Sequence, residues 1–340
     1  MDKKSFLRFG VAIIVVFLLG VFLKLARSVL IPFSLAFLFS FAVSTILDFL
    51  VRRKVPKYVA LILILLVIFA AFYFVGTVFY AGGKALAAEL SSYTDFVKSL
   101  VEKIDRIVSN PHLRAGLTDW VNSFNENRLG AFFISALGPF VSFMSQLLLI
   151  FVFMIFILAG RGRMTKKIAE AFPPAQASTL SHAAVRISHE IQKYLAVRTL
   201  VNLLIGILTA AVLAAFGVRF AVVFGVLAFL VNYIPALGAI ISVALPVLLA
   251  FFLDGAFTLK VVLILVLLAG AHAALHRLFE RRLMAKEVSL SPLLVLFSLF
   301  FWAWLWGLPG MILAVPLLTA ARIFFENVPS LRFLGTMMDR

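Results

Sequence analysis

Three side chains near the end of an apolar run have the types and spacing for proton or cation chemistry: His272, His276 and Glu280. Steps of four residues place all three along one face of a helix. Imidazoles at i and i+4 can bind a metal, and a His-His-Glu line can pass protons near neutral pH. Arg277, Arg281 and Arg282 are interleaved with them, so interfacial residues in local ion pairs account for the same stripe. The reading is proton or ion coupling, with no metal and no cofactor assigned.

A second concentration is Asn232-Tyr233-Ile234-Pro235-Ala236-Leu237-Gly238, set between two apolar pieces of 220–253. Breaking a helix inside a membrane frees backbone groups, which cost several kcal/mol each unless something satisfies them. Such a break is usually kept where it lines a polar cavity, and paired interrupted segments point to a transporter's binding site. Pro235 removes a donor, Gly238 permits unusual backbone angles, and Asn232 adds an amide that donates and accepts. A tight turn between two ordinary helices is the alternative. Gly307, Pro309 and Gly310 interrupt a second segment, 291–321, with Pro316 beyond them. Gln146 and Asn202 are polar residues inside apolar runs, where interhelical hydrogen bonding is the usual reason. These eight residues (Asn232, Pro235, Gly238, Gly307, Pro309, Gly310, Asn202 and Gln146) form the expected substrate path or gate.

Enzyme chemistry finds no support. His189-Glu190 lacks the second histidine of a zincin, and there is no Gly-x-Ser-x-Gly elbow and no phosphate-binding Gly-Lys-Ser/Thr loop. Without cysteine, thiolate metal sites and disulfides are excluded. Glu190, with Lys193 and Arg198 nearby, reads as part of a cytoplasmic entrance. Trp302, Trp304 and Trp306 read as an interfacial belt or the lining of a path.

The elements that must position these residues are membrane helices. Of 340 residues, 64% are hydrophobic and 14% charged, with 37 phenylalanines, too little polar surface for a soluble protein of this length. The net charge of +16 comes from short loops between apolar runs, such as 52–57, 161–167 and 277–286. That is the positive-inside pattern rather than a basic groove for nucleic acid. Lys3, Lys4 and Arg8 precede an apolar run that imitates a signal peptide but lacks a cleavage site, so an uncleaved first span is expected.

The expected architecture is all-α and polytopic. It has about 6–8 membrane segments, two Gly/Pro-interrupted hairpins, re-entrant or spanning, and both termini cytoplasmic. Helices fill 1–80, with Pro32 in the first turn of the second span and Gly82-Gly83 closing the third. An extracytoplasmic amphipathic segment follows at 81–130. Its positions Leu86, Leu90, Tyr93, Val97, Leu100, Ile104 and Ile107 form a seam suited to a coiled coil or to a surface helix. A long span covers 131–160 and a cytoplasmic helical segment 161–196, broken at Pro173 and Pro174. A new span starts near Val197 in a transport region 197–325, and a cytoplasmic tail takes 326–340.

The stretches 232–239, Leu290-Ser291-Pro292-Leu293-Leu294-Val295-Leu296 and 307–316 resemble the signature stretches of the autoinducer-2 exporter family of bacterial permeases. Pro32 and the Arg-Arg-Lys-x-Pro loop at 52–56 resemble it too, and the match runs in order along almost the whole chain. One departure is that Arg281 and Arg282 stand where the family often has a proline soon after the acidic position matching Glu280. The resemblance implies a multi-span inner-membrane permease, often oligomeric, without a dedicated energy domain. Three functions are carried forward. The first is gradient-driven export of a small polar metabolite such as autoinducer-2. The others are Na+/Li+–proton antiport and a non-transporting scaffold built on the 86–107 seam. The expected partners are the bilayer, a small polar substrate, H+ or Na+, and further copies of the chain; no nucleic acid is expected.

Overall fold

A computed structural model describes residues 3–107, 146–160, 163–254, 257–280, 290–328 and 331–338, all within helices and their connections, with no strand among them. The helices are α1 (Lys3–Leu25), α2 (Arg27–Arg52), α3 (Lys57–Ile107), α4 (Gln146–Ala159), α5 (Arg163–Ala171) and α6 (Pro174–Ala215). They continue as α7 (Ala221–Val231), α8 (Leu237–Asp254), α9 (Leu259–Leu275), α10 (Pro292–Trp306), α11 (Leu308–Asn327) and α12 (Arg332–Met337). Five helical stretches among the described residues are long and apolar enough to cross a membrane: 27–52, 57–82, 176–215, 259–278 and 308–327. Phe69, Phe74, Leu148, Phe156, Leu263 and Val266 stay exposed on these and neighbouring helices, which a lipid solvent tolerates and water would not. The chain is a polytopic α-helical membrane protein.

Three expected boundaries are corrected. Gly82-Gly83 do not end the third helix: α3 runs through them to Ile107, although its membrane-crossing stretch is 57–82. Gly82 is there for packing: a Cβ on it would collide with the side chain of Val223. The seam residues Leu86 to Ile107 therefore lie on a continuation of the same helix, and their side chains fall outside the described residues. Nor does a new helix begin near Val197, since α6 is one helix of 42 residues from Pro174. Pro32 is the sixth residue of α2, in its second turn. Its ring removes an amide that would have bonded the Ser28 carbonyl, and the residue is buried.

The chain forms two compact units. The first comprises residues 1–65, 146–198 and 280–340. Its α2 buries Leu35, Leu38, Val43 and Leu47 on one side, and Ser40 and Ser44 return their hydroxyls to the carbonyls of Phe37 and Phe41 at 2.6 and 2.7 Å. α2 packs on α11, which folds back on α10. Gly307 alone makes this reversal, at φ 67° and ψ −142°, a conformation reserved for glycine. A Cβ on Gly310 would strike the Trp302 carbonyl and meet Trp306 Cβ at 3.1 Å, so the two arms touch through bare backbone. Glu326 at the other end of α11 accepts from Arg322 Nε at 2.8 Å and from Arg186 of α6 at 3.2 Å.

The second unit comprises 66–145 and 199–279. α6 ends in a glycine cap, with Gly217 at φ 64° and the Val218 amide reaching back to the Leu213 carbonyl at 2.8 Å. Leu213 and Val218 then join Val247, Ala250, Val261, Ile264 and Leu268 in the core that α6, α8 and α9 share. α7 approaches α6 where Gly206 faces Gly225; a Cβ on either would lie 2.7 Å from the other's carbonyl oxygen. The two apolar pieces of the 220–253 segment are unequal, 11 and 18 residues, α7 and α8.

Thr258 caps α9, accepting from the Val261 amide at 3.4 Å while its own hydroxyl donates to Asp254 Oδ2 at 2.8 Å. Lys260 Nζ adds a contact to Oδ1 at 3.0 Å. Asp254 lies past the apolar stretch 237–251, and the Thr258 hydrogen bond, helped by Lys260, holds its carboxyl below its ordinary value. A depressed carboxyl stabilises the fold above its unfolded value, and the gain is lost as pH falls through the folded value. Asp254→Asn should therefore lower melting temperature slightly at neutral pH. It should also flatten the decline that the native protein shows below about pH 4. Parallel acid melts that decline equally would remove this role.

Candidate functional site

The helix break between α7 and α8 is built by short-range bonds. Amides of Asn232, Tyr233 and Ile234 turn back to the carbonyls of Ala228, Leu230 and Val231 at 3.2, 3.3 and 2.9 Å. Leu237 and Gly238 donate to Pro235 and Ile234 at 2.7 and 3.0 Å. The residue in the left-handed region is Ala236, φ 61°, rather than Gly238. Gly238 is required for a different reason: a Cβ there would run into Val231 O, Val231 C and Asn232 Cα. The break thus pairs the amides of Asn232, Tyr233, Ile234, Leu237 and Gly238 locally and presents polar side chains as its chemistry.

Those side chains converge. Asn232 is 1% exposed, and its Nδ2 donates to the Ala228 carbonyl at 2.6 Å and to Ser242 Oγ at 2.7 Å. Ser242, also buried, passes its own proton to the Gly238 carbonyl at 2.6 Å. His272 of α9 brings Nε2 to 3.5 Å from Asn232 Nδ2, while Nδ1 lies 3.0 Å from the Leu268 carbonyl. A carbonyl only accepts, so Nδ1 carries the proton of the neutral ring and Nε2 faces the amide with a lone pair. Three residues from three helices therefore share one buried, uncharged set of donors and acceptors. A hydroxyl pair, Thr199 Oγ1 and Tyr233 Oη at 2.8 Å, ties α6 to the same break nearer the surface.

Among the sequence-selected residues, Asn232, Gly238 and His272 come together here, with Pro235 in the intervening turn. His276 lies next to His272, ring centroids 6.3 Å apart. The regular four-residue stripe is not kept beyond it, because His276–Glu280 forms a π-helical turn, and the Glu280 side chain lies outside the described residues. Asn202 is fully buried in α6. Gly307, Pro309 and Gly310 belong to the first unit and shape the α10–α11 reversal; Gln146 opens α4 in that unit. Glu190, expected at an entrance, is 8% exposed on α6. No cluster of three or more His, Asp or Glu able to hold a metal occurs among the described residues.

Sequence reading missed Ser242. Its only signal is a hydroxyl in an apolar run four residues after Gly238, the spacing at which serine bonds back to a helix carbonyl. That it also meets Asn232, ten residues away, is a tertiary fact.

Comparison with known proteins agrees with the architecture. The chain is 27% identical over 331 residues to a protein of Borreliella burgdorferi that bears a transport-protein name, covering 95% of this chain and 89% of that one. It is 26% identical over 328 residues to the AI-2 transport protein TqsA of Escherichia coli K12, covering 96% and 93%. A transport-named protein of Haemophilus influenzae is 26% identical over 325 residues, covering 94% and 92%. Residues 11–330 match the family described as AI-2E family transporter. This chain is a member of that family of membrane transport proteins and is not an enzyme.

Proposed function

We propose that the chain is an inner-membrane permease that exports a small polar metabolite, with autoinducer-2 as the first candidate, driven by a transmembrane ion or proton gradient. The observation that carries this reading is the buried Asn232–Ser242–His272 cluster at the α7–α8 break. Neutral donors and acceptors in a dry setting suit a solute rich in hydroxyl and carbonyl groups, which can replace each of these bonds in turn. The choice of metabolite is supported by the relative named for AI-2 transport. His272 supplies a route for coupling: a proton on Nε2 would set donor against donor at Asn232 and loosen the cluster. The transport region is 197–325, both termini are cytoplasmic, and the working form is a homo-oligomer.

Proton-coupled cation exchange is the second reading, favoured by the neighbouring His272 and His276 rings. Purified protein in proteoliposomes separates the two. Autoinducer-2 efflux that requires an imposed proton gradient, and falls at least tenfold in Asn232→Ala, is the expected result. Absent efflux, together with sodium- or lithium-dependent collapse of the pH gradient, would replace export with antiport.

A further inference from the structure

One end of the α10–α11 hairpin carries a cluster of aromatic and cationic side chains. Trp304 is 66% exposed, and Lys24 of α1 places Nζ 4.9 Å from the centre of its ring. Trp306 is buried, and its Nε1–H donates to the Leu23 carbonyl at 3.1 Å. That carbonyl is among the last four of α1, which have no regular intrahelical amide to accept. A buried indole and an orphan carbonyl thus satisfy each other. The hairpin tip is thereby pinned level with the end of α1 opposite Lys3, Lys4 and Arg8.

Two helices measure the depth of that end. Lys4 and Lys24 stand 20 positions apart in α1, about 30 Å of helix and the thickness of a hydrocarbon core. Leu308 and Glu326 stand 18 positions apart in α11, about 27 Å. The latter run ends on the Arg186–Glu326–Arg322 cluster, a polar end opposite the tryptophans. For α11 the interval fits a complete crossing; α10, with 15 residues, is shorter, about 22 Å.

Charge at the tryptophan end is one-sided. Lys24 and Arg27 are exposed, no acidic residue occurs between Asp2 and Asp48, and none between Glu287 and Glu326. Phe297 and Phe300, seven and four residues before Trp304 on α10, and Leu308 at the start of α11 are exposed apolar side chains. Cations beside an amphipathic indole, bordered by hydrocarbon, match a phosphate headgroup with its acyl chains. We propose that Lys24, Arg27 and Trp304 form a headgroup site for an anionic phospholipid, which fixes the tip of the α10–α11 hairpin at the bilayer surface.

The test uses the full chain in nanodiscs of phosphatidylcholine containing a rising fraction of phosphatidylglycerol. Subtracting the emission of Trp304→Phe from that of the native protein isolates one indole. A headgroup-level nitroxide on phosphatidylglycerol should quench this component more than bromines at the acyl-chain centre. Lys24→Ala with Arg27→Ala should raise the phosphatidylglycerol fraction needed for half-quenching several-fold, up to roughly thirtyfold if each cation acts independently. All three side chains are exposed, and unchanged melting temperatures would show that the variants fold. Stronger quenching from the chain centre, equal quenching by both lipids, or displacement by millimolar inorganic phosphate would each overturn the assignment.

Discussion

Gly238→Ala should cost about 3 kcal/mol of stability, the upper end of the usual range for overpacking, and abolish transport. The three atoms nearest the new methyl group are backbone: the Val231 carbonyl group and Asn232 Cα, at the end of α7. Side chains escape such a clash by rotating, whereas these atoms move only if α7 and α8 separate. Separation would carry Asn232 away from Ser242, whose own bond to the Gly238 carbonyl runs through the substituted residue. Gly270 is the control. It lies on α9 with no atom within 4 Å of an added Cβ, so alanine there should be neutral or gain up to about 1 kcal/mol from helix propensity. Denaturant unfolding in detergent reads the first effect and proteoliposome efflux the second. Native-like unfolding of Gly238→Ala would show that the tight hairpin of 231–238 is not the state the protein occupies.

Asn232→Asp should lower transport by more than tenfold, with a larger loss than Asn232→Ala. The exchange keeps the shape and removes the donor. An ionised carboxylate would face the Ala228 carbonyl at the 2.6 Å now spanned by an N–H, acceptor against acceptor in a buried place. Ser242 could turn its hydroxyl to the carboxylate only by abandoning the Gly238 carbonyl. Alanine leaves its partners unmet, at about 1–3 kcal/mol for a buried group, but adds no charge. Combining Asn232→Ala with Ser242→Ala should cost less than the sum of the two, by about 1 kcal/mol. Additive losses would mean that the two side chains act separately and that the break is a turn without a shared site. A fully active Asn232→Asp would remove Asn232 from the path.

A break near 232–238 and another near 307–310 were legible because proline, glycine and a buried amide punctuate apolar runs, a signal that is local in sequence. Gly82-Gly83 misled for the complementary reason: glycine marks either a helix end or a close approach. Only the position of Val223, 141 residues further on, selects the second. The unbroken α6 was hidden by composition, because its polar first half and apolar second half describe two solvents rather than two helices.

The candidate site divides in the same way. Asn232, Gly238 and His272 stood out as types of residue that apolar helices seldom carry without cause. Their meeting with Ser242, and the π-turn that departs from the four-residue step to Glu280, depend on how α7, α8 and α9 pack. Composition and apolar periodicity by themselves determined that this chain lives in a bilayer as many helices with two interruptions. Tertiary structure decided which polar groups share a buried space, because that depends on contacts between positions 10 to 40 residues apart that no local spacing rule encodes.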